Sequence, residues 1–345
     1  MRRLDLDNAA ACAEWDAFCV AQARPSLFHS SPWARVIRRV YGAECRSVAW
    51  ERDGRLDVAF PVFQVRNLLG RSVRASVPYG PYGGVLTTAT GTTVDFLNGR
   101  RDLEPEAAWG GPDLLVREVC PTAAPATADH DRITMWLDLP PDADTLWKGF
   151  SAKVRNQVRK AETQGVTVKT GPDLIEDFYG LYARRMHELG TPAHGRGFFL
   201  ALSAEFGAAA EFIVAHHEGT PVAAVFDVGW GDFRVNLYGA SDYARRSLCA
   251  NNLVYWESLR RAVMQGKRRY DFGRSLEGSG QHKFKEQWGA QAVPVRERRL
   301  RFDVATRRWE ERPGPGHDSR LAGVWRHLPG FVVRALATRL RRYVY

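Results

Sequence analysis

Cysteine is scarce in this chain of 345 residues: five, at positions 12, 19, 45, 120 and 249, with no C-x-x-C pair and no clustering with the nine histidines. That spacing argues against a structural zinc centre and against a secreted disulfide framework, and points to a reducing, cytoplasmic compartment with no bound metal. Long apolar runs are missing too, so nothing supplies the roughly 18 residues that a bilayer-spanning helix needs. Near the amino terminus, Arg2, Arg3, Asp5 and Asp7 put charge where a secretory signal needs an apolar core. The expectation is a protein without a membrane span, with peripheral contact at the inner face of a membrane as the furthest extension. No G-x-x-x-x-G-K-[ST] phosphate loop occurs, and no Ser/His/Asp or Cys/His arrangement marks a nucleophile.

What the sequence does hold is positive charge. Lys+Arg 49 against Asp+Glu 39 leaves a net charge of +10, which suits a polyanionic partner: RNA, a nucleotide-linked metabolite or an anionic lipid surface. A hydrophobic fraction of 45% is enough for an ordinary core, and the length suits about two domains. One pattern occurs twice. Residues 47–63 read as strand, Asp53-Gly54 turn, strand, and residues 212–228 repeat the motif around Glu218-Gly219, with a third strand following Gly231-Asp232 to near Tyr238. Helical periodicity covers 9–22 and 31–41 before the first hairpin, 150–164, 173–189 and 196–206 before the second, and 251–265 after it. This is an α+β layout used twice. Pro140-Pro141 and the segment from Pro121 to Asp131 read as connecting structure, which gives domains at 1–144 and 145–300 and a basic tail at 301–345, with Pro313 to Gly316 setting off its end.

Two stretches concentrate chemistry. Residues 151–164 form a helix carrying Lys153, Arg155, Arg159 and Lys160 against Glu162, a density of cations that suits phosphate binding; a solvated face packed through Val154, Val158 and Ala161 is the plainer reading. Residues 270–290 bring Gly273, Gly278 and Gly280 together with Arg274, Lys283 and Lys285, so that backbone can approach a ligand closely while cations neutralise an oxyanion. A polar surface connection is the alternative there. The segment Pro78 to Gly84 either lines a pocket with Tyr79 and Tyr82 or makes a tight strand connection. His194 and His282 titrate near neutrality, yet no nucleophile or orienting acid accompanies either in sequence. His216-His217, beside a hairpin turn, is expected to be exposed.

The stretches Phe28-His29-Ser30-Ser31-Pro32-Trp33, Lys153 to Gly165, Leu189-Gly190-Thr191-Pro192, Asn251 to Trp256, Asp271 to Ser275 and Phe284 to Gly289 resemble the FemAB/FemX family of peptidoglycan bridge-forming aminoacyltransferases. Within it they are similar to the FemAB-related proteins that accompany exopolysaccharide and protein-sorting systems. The resemblance covers the chain from Phe28 to about Leu300. It implies two tandem GCN5-related acetyltransferase-like (GNAT) domains, each a mixed, mostly antiparallel sheet flanked by helices. It also implies transfer of an amino acid from aminoacyl-tRNA to an amine of a cell-envelope precursor or related peptide, with no cofactor beyond that co-substrate. The family's catalytic Phe-Lys pair falls on Phe284 and Lys285. Its basic position after the amino-terminal Trp falls on or beside Ile37, leaving Arg35 or Arg38 as substitutes; a second arginine falls near His194, with Arg196 close by; the acidic position of the first domain falls near Glu118; and Arg274 adds a cation beside the catalytic pair. Lys153, Arg155, Arg159 and Lys160 are then the tRNA-binding residues.

Two rival functions stay open. An acyl-CoA-dependent N-acyltransferase of exopolysaccharide or secondary metabolism would use acetyl-CoA or another acyl-CoA, and would carry an R/Q-x-x-G-x-G/A loop; Tyr243 to Asn252 occupies the corresponding stretch without a glycine. An RNA- or glycan-binding module without chemistry would bury Lys285 in a salt bridge away from any cleft. The tail from Leu321 to Tyr345 alternates Trp325, Leu328, Phe331, Val332, Leu336 and Leu340 with Arg326, Arg334, Arg339, Arg341 and Arg342, and either docks on the domain or lies on an anionic membrane.

Overall fold

The computed structural model describes residues 1–22, 26–67, 70–87, 92–100, 103–120, 132–312, 325, 327–328 and 330–343. The expected connection at 121–131 and the Pro313–Gly316 stretch lie outside them, as do the side chains of Phe331, Val332, Arg326 and Arg334. Two compact units form: residues 1–132, 294–317 and 342–345, and residues 133–293 with 318–341. The division differs from the one expected at 144/145. Strand Arg132–Asp138 belongs with the second unit because Thr134 Oγ1 donates to Asp271 Oδ1 at 2.7 Å and Leu139 N–H to the Arg268 carbonyl at 2.8 Å. The chain then returns to the first unit, where strand Gln291–Asp303 pairs antiparallel with Asp113–Val119.

Both hairpins form as the sequence predicts. Val48–Arg52 pairs with Arg55–Phe60, and Ala210–His217 with Thr220–Trp230. Each turn needs two residues at positive φ, which Asp53 (51°) and Gly54 (74°), and Glu218 (50°) and Gly219 (74°), supply in matching pairs. The right-handed twist of the strands selects that turn, so an acidic residue followed by glycine is enough to place it here.

In the first unit, the strands Arg2–Arg3, Val48–Arg52, Arg55–Phe60 and Leu86–Thr87 form one sheet, and Asp113–Val119 sits in another between Gln291–Asp303 and Ser72–Ser76. Trp50, Phe60, Trp109, Val116, Leu300 and Trp309 fill its core. In the second unit the sheet order is Thr167–Thr170, Ala210–His217, Thr220–Trp230, Phe233–Ser241, Arg269–Leu276, Arg132–Asp138. Side chains alternate across it. Ile213, Ala215, Ala223 and Val225 pack under Ala152–Thr163 and Ala250–Met264, while Phe212 and Phe226 pack tilted against Phe178 of helix Ile175–Glu188 at 5.3 and 5.9 Å. The six helices predicted from periodicity are all present, and Thr93–Gly99, Pro105–Trp109, Ala143–Gly149 and Gly280–Glu286 are helices that it missed. No helix among the described residues is long and apolar enough to cross a membrane.

Candidate active site

A local misfit in the second sheet makes the cleft. Phe233–Ser241 and Arg269–Leu276 run parallel and pair only at Phe233/Arg269, Arg234/Tyr270 and Val235/Asp271. Beyond Val235 the ladder ends. Across the same strand, Phe226 opposes Tyr238 while Asp227 opposes Asn236, so Leu237 is one residue extra, a bulge that bends the strand away. Gly273 sits at the parting with φ 75°, and a Cβ there would lie 2.9 Å from the Asn236 carbonyl oxygen, so only glycine lets the two backbones approach before they separate.

The opening is a cleft of about 410 Å³, lined among others by Asn236, Tyr238, Tyr255, Arg274, Phe284 and Lys285. Its cations are Arg185, Arg274 and Lys285, and among the described residues that line it there is neither a carboxylate nor a histidine. The cleft therefore suits an anionic ligand and offers neither a carboxylate nor an imidazole as a base among its described lining residues.

Lys285 comes from the short helix Gly280–Glu286, which Ser279 starts by accepting the His282 N–H at 3.2 Å. On this helix Lys283 and Lys285 diverge, Lys283 outward and Lys285 inward, 6% exposed. Lys285 Nζ donates to the Gly273 carbonyl at 2.8 Å and the Arg274 carbonyl at 3.2 Å. An ammonium has three N–H bonds, so one remains to face the cleft. Burial pulls its pKa from 10.5 down to about 8, with the nearby Asp271 carboxylate opposing the change. Phe284 stands edge-on to Tyr255 at 5.2 Å and walls the cleft beside the lysine. A salt bridge remote from any cleft, the arrangement expected of a module without chemistry, is not what surrounds Lys285.

Behind the wall lies a buried polar network that the sequence did not reveal. Tyr255 O–H donates to Asn236 Oδ1 at 3.1 Å, Asn236 Nδ2 donates to Asp227 Oδ1 at 2.8 Å, and Asp227 also receives Arg234 Nε at 2.9 Å and Tyr270 O–H at 3.2 Å. Arg234, 0% exposed, continues the chain to Glu211. A network this connected fixes the bulged strand in one conformation, although Arg234 Nη2 within it has no hydrogen-bond partner. Isolated polar letters on strands carry no sequence signal of partnership.

The remaining expected site residues scatter. Arg274 lines the cleft. His194, 0% exposed, lies outside the lining: its ring stacks on Phe198 at 4.3 Å and receives Arg341 Nε at 3.0 Å, and burial followed by the Arg341 charge drives its pKa far down. Arg196 is exposed and ion-paired to Glu176. In the first unit, Arg35 donates to Ser31 Oγ at 3.2 Å, Arg38 grips Asp7 through both nitrogens at 2.7 and 2.9 Å, and Ile37 is fully buried. Glu118 is buried, accepting the Thr93 N–H at 3.0 Å and hydroxyl at 2.7 Å at the start of helix Thr93–Gly99 and facing Arg298 at 3.2 Å. Tyr82 packs on Phe28 at 5.2 Å and Tyr79 on Tyr41 at 4.0 Å. His282 accepts the Gly278 N–H at 2.9 Å through Nδ1. His216, expected to be exposed, is buried, with Nε2 2.8 Å from Asp177 of the neighbouring helix.

On helix Ala152–Thr163, Lys153, Arg159 and Lys160 are exposed, and Arg159 lies over the Trp147 ring at 5.6 Å. Arg155 is a correction to the expected exposed face: its guanidinium turns back to the Lys148 carbonyl at 3.1 Å and to the Phe150 carbonyl, closing the end of helix Ala143–Gly149. Gln157 of this helix accepts from Asn252, next in sequence to the cleft-lining Asn251, at 3.1 Å. The basic helix is thus braced directly against the element that forms one wall of the cleft.

Residues 148–286 match the family model described as an acetyltransferase (GNAT) domain. Among solved structures, FemX is similar at 16% identity over 82% of this chain and 95% of that one, with a TM-score of 0.60. A protein of unknown function from Bacteroides thetaiotaomicron is similar at 14% identity over 85% of this chain and 97% of that one, with a TM-score of 0.55. Among curated proteins, none matches the sequence. The chain is FemX-like in fold, a tandem pair of GNAT-type α+β units, and the second of them, which the acetyltransferase (GNAT) domain model matches, holds the cleft.

Proposed function

We propose that the protein is an aminoacyltransferase that moves an amino acid from aminoacyl-tRNA to an amine of a cell-envelope precursor, of peptidoglycan or exopolysaccharide type, or a related peptide. The observation that carries the reading is Lys285, an ammonium buried beside Phe284 in a cationic cleft without a carboxylate, with one N–H left for a ligand. In the reaction the amine attacks the ester carbonyl, the new C–N bond forms, and the C–O bond to the ribose breaks. Charge accumulates first on the carbonyl oxygen and then on the departing ribose oxygen, and a fixed cation favours both over the ground state. With Lys285 protonated and neither a carboxylate nor a histidine among the described residues that line the cleft, the proton leaves the amine through the substrate or water. The test is direct: activity in an extract disappears on ribonuclease treatment and returns with charged tRNA, measured as label transferred from aminoacyl-tRNA. Robust turnover with acetyl-CoA after ribonuclease treatment would overturn it in favour of acyl-CoA-dependent N-acyl transfer, the reading that the GNAT domain match itself supports.

A further inference from the structure

Tyr243 lines the cleft and is nevertheless 68% exposed, an unusual state for an aromatic side chain at a pocket mouth. It opens the short segment Tyr243–Leu248, where Asp242 accepts the Ala244 N–H at 3.1 Å, and every residue from Tyr243 to Ser247 is exposed. Arg246 places its guanidinium 4.6 Å from the centre of the Tyr243 ring. The guanidinium covers one face of the ring and the exposed remainder is open to solvent, with further cations, Arg185, Arg274 and Lys285, inside the cleft. A ligand that is planar and aromatic at one end and anionic next to it satisfies all of these together. An aliphatic anion satisfies the charge alone.

We infer that Tyr243 and Arg246 form a nucleotide clamp at the mouth of the cleft, in which the ring stacks with a nucleobase and the guanidinium meets the adjoining phosphate. Stacking tolerates any base because each has a π-face, and Arg adds charge without demanding sequence. The shared chemistry is a nucleotide carried by the acyl donor. It is the terminal nucleotide of an aminoacyl-RNA if the function proposed above holds, and the nucleotide half of an acyl-CoA if it does not, so this inference deepens that reading without standing or falling with it.

Equilibrium binding to the full-length protein separates the cases, using three probes: an RNA minihelix ending in a 3′ adenosine, the same minihelix with an abasic 3′ end, and CoA. Tyr243→Ala is expected to weaken the adenosine-ended minihelix about tenfold or more, Tyr243→Phe to retain affinity, and Arg246→Gln to weaken it and flatten its salt dependence. The abasic probe should bind the parent as weakly as the intact probe binds Tyr243→Ala, and should ignore the substitution. Tyr243-dependent binding of CoA alone would uphold the clamp and remove the RNA donor. Equal binding of every probe by parent and Tyr243→Ala, or no binding of either nucleotide probe at millimolar concentration, would overturn the clamp, while RNA-dependent transfer in that same variant would leave the proposed function standing.

Discussion

Lys285 holds its charge at a cost, and the direction of that cost is testable. With a pKa near 8 in the folded chain against about 10.5 when unfolded, the ammonium is disfavoured by on the order of 3 kcal/mol. The penalty is fully present below pH 8, where both states keep the proton, and is relieved as pH rises from about 8 to 10.5. Lys285→Met should therefore be no less stable than the parent at pH 7, with any advantage vanishing toward pH 10.5, read from denaturant midpoints across pH. The same substitution should slow the chemical step by about 100-fold or more in single turnovers, whereas Lys283→Met, an equal charge removed from the solvent face of the same helix, should change it little. If the protonated lysine is the working form, the parent's rate falls as pH passes 8; a rate that rises there would make Lys285 a base and end the oxyanion assignment. The Phe284-Lys285 pair was legible in the sequence because its two residue types recur together in a recognisable stretch. Its geometry was not, because three glycines at 273, 278 and 280 read as loop and hid a helix of only seven residues.

At the scale of elements, the basic helix divides into residues that serve the fold and residues that face outward. Arg155 closes the carbonyl end of helix Ala143–Gly149, so Arg155→Gln should cost about 1 kcal/mol of stability. Lys153 and Lys160 only reach solvent, and replacing both with Gln should leave the melting temperature in place. If the helix follows an RNA backbone, that pair should lower the slope of log K against log salt by about 1.5. An unchanged slope would move the RNA elsewhere. Charge density along 151–164 was visible in the letters, but which cations are spent on carbonyls depends on a helix, Ala143–Gly149, that the Pro140-Pro141 pair disguised as connection. The hairpins were legible for the opposite reason: Asp53-Gly54 and Glu218-Gly219 specify their turns locally, with no need of a distant partner. The bulge at Leu237 and the parting of two parallel strands, which make the cleft, are long-range events, and no local pattern announces them.

At the scale of the whole molecule, the carboxyl-terminal segment shows how an amphipathic pattern leaves its own burial undecided. Periodicity gave helix Gly330–Arg341 an apolar stripe and a basic one, equally suited to an anionic membrane and to a protein surface. Val333 and Ala337, four apart and so on one face, are buried at 7% and 5%, and Arg341, one further turn along, reaches the His194 ring in the second unit. The approach is close because position 195 has no side chain: a Cβ there would stand 2.7 Å from Thr338 Cγ2. Gly195 has an ordinary extended backbone, φ −70° and ψ 160°, so a larger residue strains the contact and not the chain. Gly195→Leu is thus a wedge. It should lift the helix, forfeit about 2 to 3 kcal/mol of apolar burial, open the helix itself to limited proteolysis, and uncover the stripe. The undocked variant should then co-sediment with anionic vesicles more strongly than the parent, because a basic helix with an open apolar face is what such a surface binds. Parent protein that sediments with vesicles as well as the wedge variant does would show that the docked face is not the one that meets lipid, and the cationic surface outside this helix would have to account for the binding.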